Sequence, residues 1–205
     1  MKPYYCDNAV TLYHGDCLEI TEWLAADVLV TDPPYGVSYR SGWENSFRHV
    51  EIANDNTTHT RDRCITAWGN KAALVFGSWK APRPDATQMI LIWDKGTVGM
   101  GNLALPWFPA TEEIYVIGSG WTGSRTSPVL RHHVRNTYHP TEKPVALLHS
   151  LLSKTSGTVA DPFAGSGSTL IAARNLGRKA IGVELEERYC EIIAKRLDQM
   201  CLDFT

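Results

Sequence analysis

Two stretches of this chain have the residue types and spacing to do chemistry, one in its first fifth and one in its last quarter. In the first, Val28-Leu29-Val30-Thr31 reads as an apolar strand that runs straight into Asp32-Pro33-Pro34-Tyr35. Two successive prolines fix φ and remove two donors, so the loop is stiff and its carbonyls stay free to accept hydrogen bonds. Asp32 adds a carboxylate and Tyr35 a flat aromatic face. Together they suit a planar ring bearing an NH2: the carboxylate and a proline carbonyl grip the two amine hydrogens while the ring stacks on Tyr35. Such an amine is a poor nucleophile because its lone pair is delocalised. Two acceptors pulling on its hydrogens favour a pyramidal nitrogen with the lone pair aimed outward. An alkyl donor held in line is then displaced directly, and positioning supplies much of the catalysis. No covalent enzyme intermediate, and so no catalytic cysteine, is required. Taken alone, the tetrapeptide is equally a stiff turn.

The second stretch, Val159-Ala160-Asp161-Pro162-Phe163-Ala164-Gly165-Ser166-Gly167-Ser168-Thr169, reads as a strand, a glycine-rich turn and a helix start. Glycines let the backbone approach a ligand closely, and the helix N-terminus offers free N–H groups to a carboxylate or phosphate. Glu184 ends the next apolar run, where an acid can accept both hydroxyls of a ribose. A nicotinamide or flavin fingerprint would need a third glycine where Leu170 stands, and no ATPase-type Gly-x-x-x-x-Gly-Lys-Ser/Thr occurs.

The elements that must position these stretches are legible in outline. Apolar runs recur at Val10–Tyr13, Val28–Val30, Ala72–Phe76, Met89–Trp93, Glu113–Ile117, Val159–Ala160 and Ala180–Val183, several rich in Val and Ile. Between some of them lie helical patterns. One runs from Glu186 to Met200 with Tyr189, Ile192, Ile193, Leu197 and Met200 on one stripe. A second opens at Thr141 as N-cap, with Pro144 in its first turn and Leu147, Leu148, Leu151 and Leu152 buried. A third follows Gly167 and stops near Gly177. Strands alternating with helices imply an α/β fold with a doubly wound, mostly parallel sheet, which binds ligands beyond the carboxyl ends of its strands. Gly36–Arg63 and Gly118–Tyr138 read as long loops, and long loops in compact domains tend to be functional.

With 205 residues, the expectation is one domain over 1–205. No apolar run is long enough to cross a membrane, the N-terminus lacks a signal-like stretch, and a cytoplasmic protein is expected. Five cysteines in no Cys-x-x-Cys pair argue against a disulfide framework or a zinc ribbon. His132, His133 and His139 lack a supporting Cys, Asp or Glu cluster, so no metal is expected. Net charge is −2, yet Arg125, Arg131, Arg135 and Lys143 face a single acid, Glu142, between Gly118 and Lys143. A basic strip on an acidic body suits contact with phosphates over a limited surface, and equally a solvated polar loop.

Read together, Asp32-Pro33-Pro34-Tyr35 after a strand and Asp161-Pro162-Phe163-Ala164-Gly165-Ser166-Gly167-Ser168 later resemble the catalytic and cofactor motifs of amino-group DNA methyltransferases, which act on adenine N6 or cytosine N4. With the catalytic motif first, the order is similar to that of the circularly permuted β subgroup. His139-Pro140-Thr141-Glu142-Lys143-Pro144 matches its linking motif. The resemblance spans Val10 to about Leu197. It implies a Rossmann-like sheet of seven strands, the last pair antiparallel, and S-adenosylmethionine as methyl donor. It also implies a DNA base flipped out of the duplex into the catalytic pocket.

On the same resemblance, Asp32, Pro33, Pro34 and Tyr35 hold the target base. Asp161, Phe163, Gly165, Gly167 and Ser168 line the cofactor, and Glu184 binds its ribose. Asp16, in Gly15-Asp16, contacts its adenine, while Thr141 and Lys143 help hold its methionine carboxylate. An aspartate at the first motif position favours adenine over cytosine, and counts against the glutamine-methylating proteins, which carry Asn-Pro-Pro-Tyr. An RNA amino group stays open within the same chemistry. The chain departs from the family in one respect: Gly118–Tyr138 is too short for a folded recognition domain. A short or relaxed recognition sequence, or a second subunit in a homodimer, is then expected. Tyr39, Trp43 and Phe47, with Arg40 and Arg48, either contact DNA from the 36–63 loop or pack that loop down. A restriction-modification role and an orphan or viral one are both compatible.

Overall fold

Val28 and Val30 turn to one side of the sheet and Leu29 to the other, and all three are 1% exposed or less. A strand apolar on both faces must be covered on both faces, which is why helices lie on each side. The structure, a computed structural model, describes residues 1–36, 56–96, 103–134 and 142–202. Its strands are β1 (Tyr5–Cys6), β2 (Val10–His14), β3 (Val28–Thr31), β4 (Ala73–Gly77), β5 (Thr87–Asp94), β6 (Thr111–Ile117), β7 (Val129–Arg131), β8 (Val159–Asp161) and β9 (Ala180–Glu184). Its helices are α1 (His59–Trp68), α2 (Val145–Leu152), α3 (Ser168–Asn175) and α4 (Glu187–Leu202), with a short 3-10 turn at Glu22–Ala25.

The strands form one sheet in the order β1-β2-β9-β8-β3-β4-β6-β5-β7. The pairs β2–β9, β9–β8, β8–β3 and β3–β4 are parallel, and β6 runs antiparallel to both β4 and β5. On one face α2, α3 and α4 cover Val10, Leu12, Val28, Val30 and Val159. On the other, α1 and the 3-10 turn bring Trp68, Cys64 and Trp23 onto Leu29, Ala73 and Ala160. Trp23 and Trp68 stack there with ring centroids 5.8 Å apart. In α2, Leu147, Leu148, Leu151 and Leu152 are all buried, as their spacing demands. Each such burial is worth roughly 1.5–3 kcal/mol, so this short helix is held by packing more than by its own propensity. Cys17, Cys64 and Cys190 are buried free thiols in these cores.

The structure departs from the sequence reading at four points. The sheet has nine strands among the described residues, seven of them the expected ones. The two extra are the short edge strands β1 and β7, whose brevity limits the unpaired edge they present. The supposed loop over 36–63 ends early, because α1 begins at His59. The Thr58 hydroxyl bonds the Asp62 carboxylate across the first turn, and Cys64, Ile65 and Trp68 bury the helix's inner face. The basic stretch 118–138 is likewise broken by β7, which pairs with β5 through Ile92, Trp93 and Asp94. Finally, α2 starts at Val145 and not at Thr141. Pro144 is its extended cap residue (φ −60°, ψ 130°), and a residue preceding proline, here Lys143, is kept out of the helical region. Tyr39, Arg40, Trp43, Phe47, Arg48, Arg135, His139 and Thr141 lie outside the described residues.

Candidate functional site

Because five neighbouring strands are parallel, their carboxyl ends share one edge. In sheet order these ends present Gly15-Asp16 after β2, Glu184 at the end of β9, Asp161 at the end of β8, Asp32 just after β3 and Gly77 at the end of β4. The two chemically loaded turns, far apart in sequence, therefore leave adjacent strands. Their first residues are tied directly: the Thr31 hydroxyl donates to Asp161 Oδ1 at 2.7 Å.

On the glycine-rich side, Gly165 and Gly167 have φ of +53° and +84°. A Cβ on Gly167 would lie 2.8 Å from Ile193 Cγ1 of α4, so the turn passes too close to that helix for any side chain. Gly167 caps α3, and the segment reaches Ser168 and Thr169 already buried. Glu184 accepts the N–H of Gly165 at 2.7 Å on Oε2 and that of Glu186 at 2.8 Å on Oε1. Asp161 also accepts the Phe163 N–H at 3.2 Å. Burial pushes the Asp161 carboxyl up to about 6 against the hydrogen bonds from Thr31, Thr169 and Phe163, and the Asp32 charge adds to the rise. Burial likewise lifts Glu184 to about 7, although two backbone N–H groups pull the other way. Asp16 accepts the Leu18 N–H at 2.8 Å, next to Glu184 because Gly15 N–H bonds the Glu184 carbonyl at 2.9 Å. A brace not foreseen from sequence supports this side. Glu142 accepts from the Ser168 hydroxyl at 3.3 Å and pairs with Arg196 of α4 at 3.0 Å, while Arg196 also bonds the Ser166 carbonyl at 2.7 Å.

On the other side, the Tyr35 hydroxyl donates to Asp32 Oδ1 at 2.7 Å. Lys143, expected among the cofactor-binding residues, has its ammonium 2.5 Å from Asp32 Oδ2 and 3.3 Å from Glu112 Oε2. The rings of Phe76, Trp93 and Tyr35 surround it with centroids 5.0, 5.9 and 5.9 Å away. Glu112 also touches the Tyr35 hydroxyl at 3.3 Å and Lys95 at 2.5 Å. Burial works against the Lys143 ammonium, but Asp32 and Glu112 outweigh it and hold its pKa above that of an ordinary lysine. Burial works equally against Glu112, and Lys143 and Lys95 hold it below the usual carboxylate range. Burial and the two carboxylates keep Tyr35 protonated far above its ordinary value.

Sequence reading missed Glu112 and Lys95. The usable signal was topological: β6 is antiparallel, so its first residues, and not its last, meet the site edge. The same reasoning explains an apolar tract on that edge. Leu103, Leu105, Trp107 and Phe108, between the end of β5 and the start of β6, are 57–78% exposed, and Trp79 beyond β4 is 71% exposed. His132 is a structural pin: its carbonyl accepts the Trp93 indole N–H at 2.8 Å and its Nε2 meets the Ser150 hydroxyl at 3.2 Å.

The arrangement offers a carboxylate acceptor beside an aromatic ring, one strand away from an acid-lined turn at a helix N-terminus. Known proteins are similar to the chain in sequence and in overall fold. The model of the DNA methylase family matches residues 78–195. The type II methyltransferase M2.DpnII of Streptococcus pneumoniae is 41% identical over 252 aligned positions, covering 96% of this chain and 92% of that protein. The type II methyltransferase M.ScaI of Streptomyces caespitosus is 26% identical, covering 96% of this chain and 84% of its own length. Among solved structures, the M1.HpyAVI–SAM complex superposes with a TM-score of 0.65 at 24% identity, over 91% of this chain and 99% of that one. The cytosine-N4-specific PvuII DNA methyltransferase superposes with a TM-score of 0.69 at 16% identity, over 94% and 88%. At those identities the structures speak for the fold alone.

Proposed function

The chain belongs to the DNA methylase family, and on that premise we propose that it transfers a methyl group from S-adenosylmethionine to the exocyclic N6 amine of adenine in DNA. The observation that carries the reading is the Thr31–Asp161 hydrogen bond, which fastens the Asp32 loop to the turn proposed to hold the methyl donor. The residues on that side fit the cofactor. Gly165 keeps the backbone bare where a ligand must approach, its Cβ position meeting nothing nearer than the Phe163 carbonyl at 4.0 Å, the buried acids Asp161 and Glu184 suit a cationic ligand with ribose hydroxyls, and Phe163 supplies an apolar wall. In this reading Asp161, Phe163, Gly165, Gly167 and Ser168 line it, Glu184 takes the ribose and Asp16 the adenine end. When bound, it supplies a methyl group activated by a sulfonium.

The rest is done by the chain's own residues. Asp32 and the Pro33-Pro34 carbonyls hold the amine hydrogens and aim the nitrogen lone pair, and Tyr35 stacks on the flipped base. As the N–CH3 bond forms and the S–CH3 bond breaks, the proton that the amine gives up passes to Asp32 and on to water. Stretches 36–63 and 118–138, together with the exposed Trp79, Trp107 and Phe108, are proposed to contact the duplex. A homodimer would extend that footprint. The type II names of the relatives favour a restriction-modification role.

Cytosine N4 is the second reading, because the Asp32 carboxylate beside the Tyr35 ring can grip the exocyclic amine of either base. Digesting DNA methylated by the purified protein and weighing the nucleosides by mass spectrometry distinguishes the two. N6-methyl-2′-deoxyadenosine is expected, and N4-methyl-2′-deoxycytidine alone would overturn the choice of base.

A further inference from the structure

The Asp32 carboxylate is engaged on both oxygens: Tyr35 donates to Oδ1 and the Lys143 ammonium sits on Oδ2. An ammonium there competes for the acceptor that a target amine needs. The same ammonium has a second counter-ion, since Glu112 Oε2 lies 3.3 Å away. Lys95 occupies the other Glu112 oxygen, leaving Oε2 turned to Lys143 and to the Tyr35 hydroxyl. Aromatic rings wall the ammonium in and its side chain is only 7% exposed, so it cannot remain there without a carboxylate partner.

We propose, resting on the methyltransferase reading above, that Glu112 is a positioning residue that takes Lys143 from Asp32 when the target amine arrives. Both carboxylates are already within ion-pair reach of the ammonium, so no large rearrangement is needed. The Lys143–Glu112 contact shortens to the usual charged hydrogen-bond length of roughly 2.8 Å while the contact to Asp32 lengthens beyond hydrogen-bond reach. Asp32 Oδ2 is then open to the amine, while the buried cation keeps a partner and the pocket keeps its charge balance. Without the Glu112 charge, the ammonium stays on Asp32 and the clamp persists.

The test is a double-variant cycle on the full chain with cofactor and duplex DNA. Glu112→Gln keeps the shape and removes the charge. Its kcat/KM for DNA should fall at least about tenfold, with KM for DNA rising and cofactor affinity by calorimetry unchanged. Removing the trapped cation in that background, Glu112→Gln with Lys143→Met, should recover the larger part of the loss in kcat/KM for DNA when the cofactor is held at saturation, which a merely structural role for Glu112 would not allow. Among the described residues, the ionisable groups facing that ammonium include Asp32, Glu112 and the Tyr35 hydroxyl, with Lys95 on the far side of Glu112. Wild-type kinetics in Glu112→Gln, or a double variant no better than the single one, overturns the inference. A wild-type chain that methylates no DNA overturns the proposed function instead, and the inference with it.

Discussion

Raising the pH from roughly 4 to roughly 8 should loosen the fold and tighten its hold on the methyl donor at the same time. The two groups responsible are Asp161, pushed up to about 6, and Glu184, pushed up to about 7, both chiefly by burial. In the unfolded chain each titrates in the ordinary carboxylate range near 4. Between those limits the folded state binds more protons than the unfolded one, so stability is fully present at acid pH and is lost as pH rises through about 6 and about 7. Each carboxyl is displaced by about two pKa units, and at roughly 1.4 kcal/mol per unit that is on the order of 3 kcal/mol per group. Because each charge raises the other, the pair together contributes less than twice that.

A ligand carrying a sulfonium, an α-ammonium and ribose hydroxyls prefers the ionised forms. Its affinity should therefore rise with pH over the same window, by up to roughly tenfold per pH unit for each group titrated. Urea unfolding across the pH range measures the first effect. Calorimetry in two buffers of different ionisation enthalpy counts the protons released on binding and measures the second. Asp161→Asn should abolish one of those protons and lower the Glu184 titration, since a neighbouring negative charge is gone. A dissociation constant flat across the range, with no proton released and no loss of stability, would refute the burial argument.

Asp32→Ala should keep cofactor affinity and lower kcat by at least about a hundredfold; methyl transfer retained in a radiolabel assay would show that another group holds the amine. Phe163→Ala should weaken cofactor binding by about tenfold or more through lost apolar contact, and unchanged affinity by calorimetry would move the cofactor away from this turn. Gly167→Ala imposes a side chain at φ +84° and within 2.8 Å of Ile193 Cγ1, a strain of roughly 2–3 kcal/mol. Scanning calorimetry should then record a melting temperature several degrees lower, and a wild-type value would mean the turn yields more freely than its packing against α4 implies.

Much of the molecule was determined by local sequence. Five of the seven apolar runs became the neighbouring parallel strands β2, β3, β4, β8 and β9 because their apolar content suits strands buried on both faces, and the other two became β5 and β6, whose antiparallel pairing lets part of β5 face solvent. Of the stripe expected on α4, Tyr189, Ile193 and Leu197 are buried, joined by Cys190, while Ile192 is only half-buried and the Met200 side chain lies outside the described residues. Asp32-Pro33-Pro34-Tyr35 and Asp161 to Ser168 were visible because proline and glycine announce unusual backbone before any fold is known. The edge strands β1 and β7 were missed because two or three residues carry no periodicity, and their pairing is set by the neighbour.

Tertiary structure alone decided which distant groups meet. Strand order placed β3 next to β8, so that Thr31 reaches Asp161 across 130 positions of sequence. The antiparallel direction of β6 carried Glu112 to the site edge and, with Lys143, made a charge-balanced cluster around Asp32. Side-chain type and local period fix what an element is. Which ends of which elements share an edge follows from sheet order and direction, and those arise only when the whole core closes.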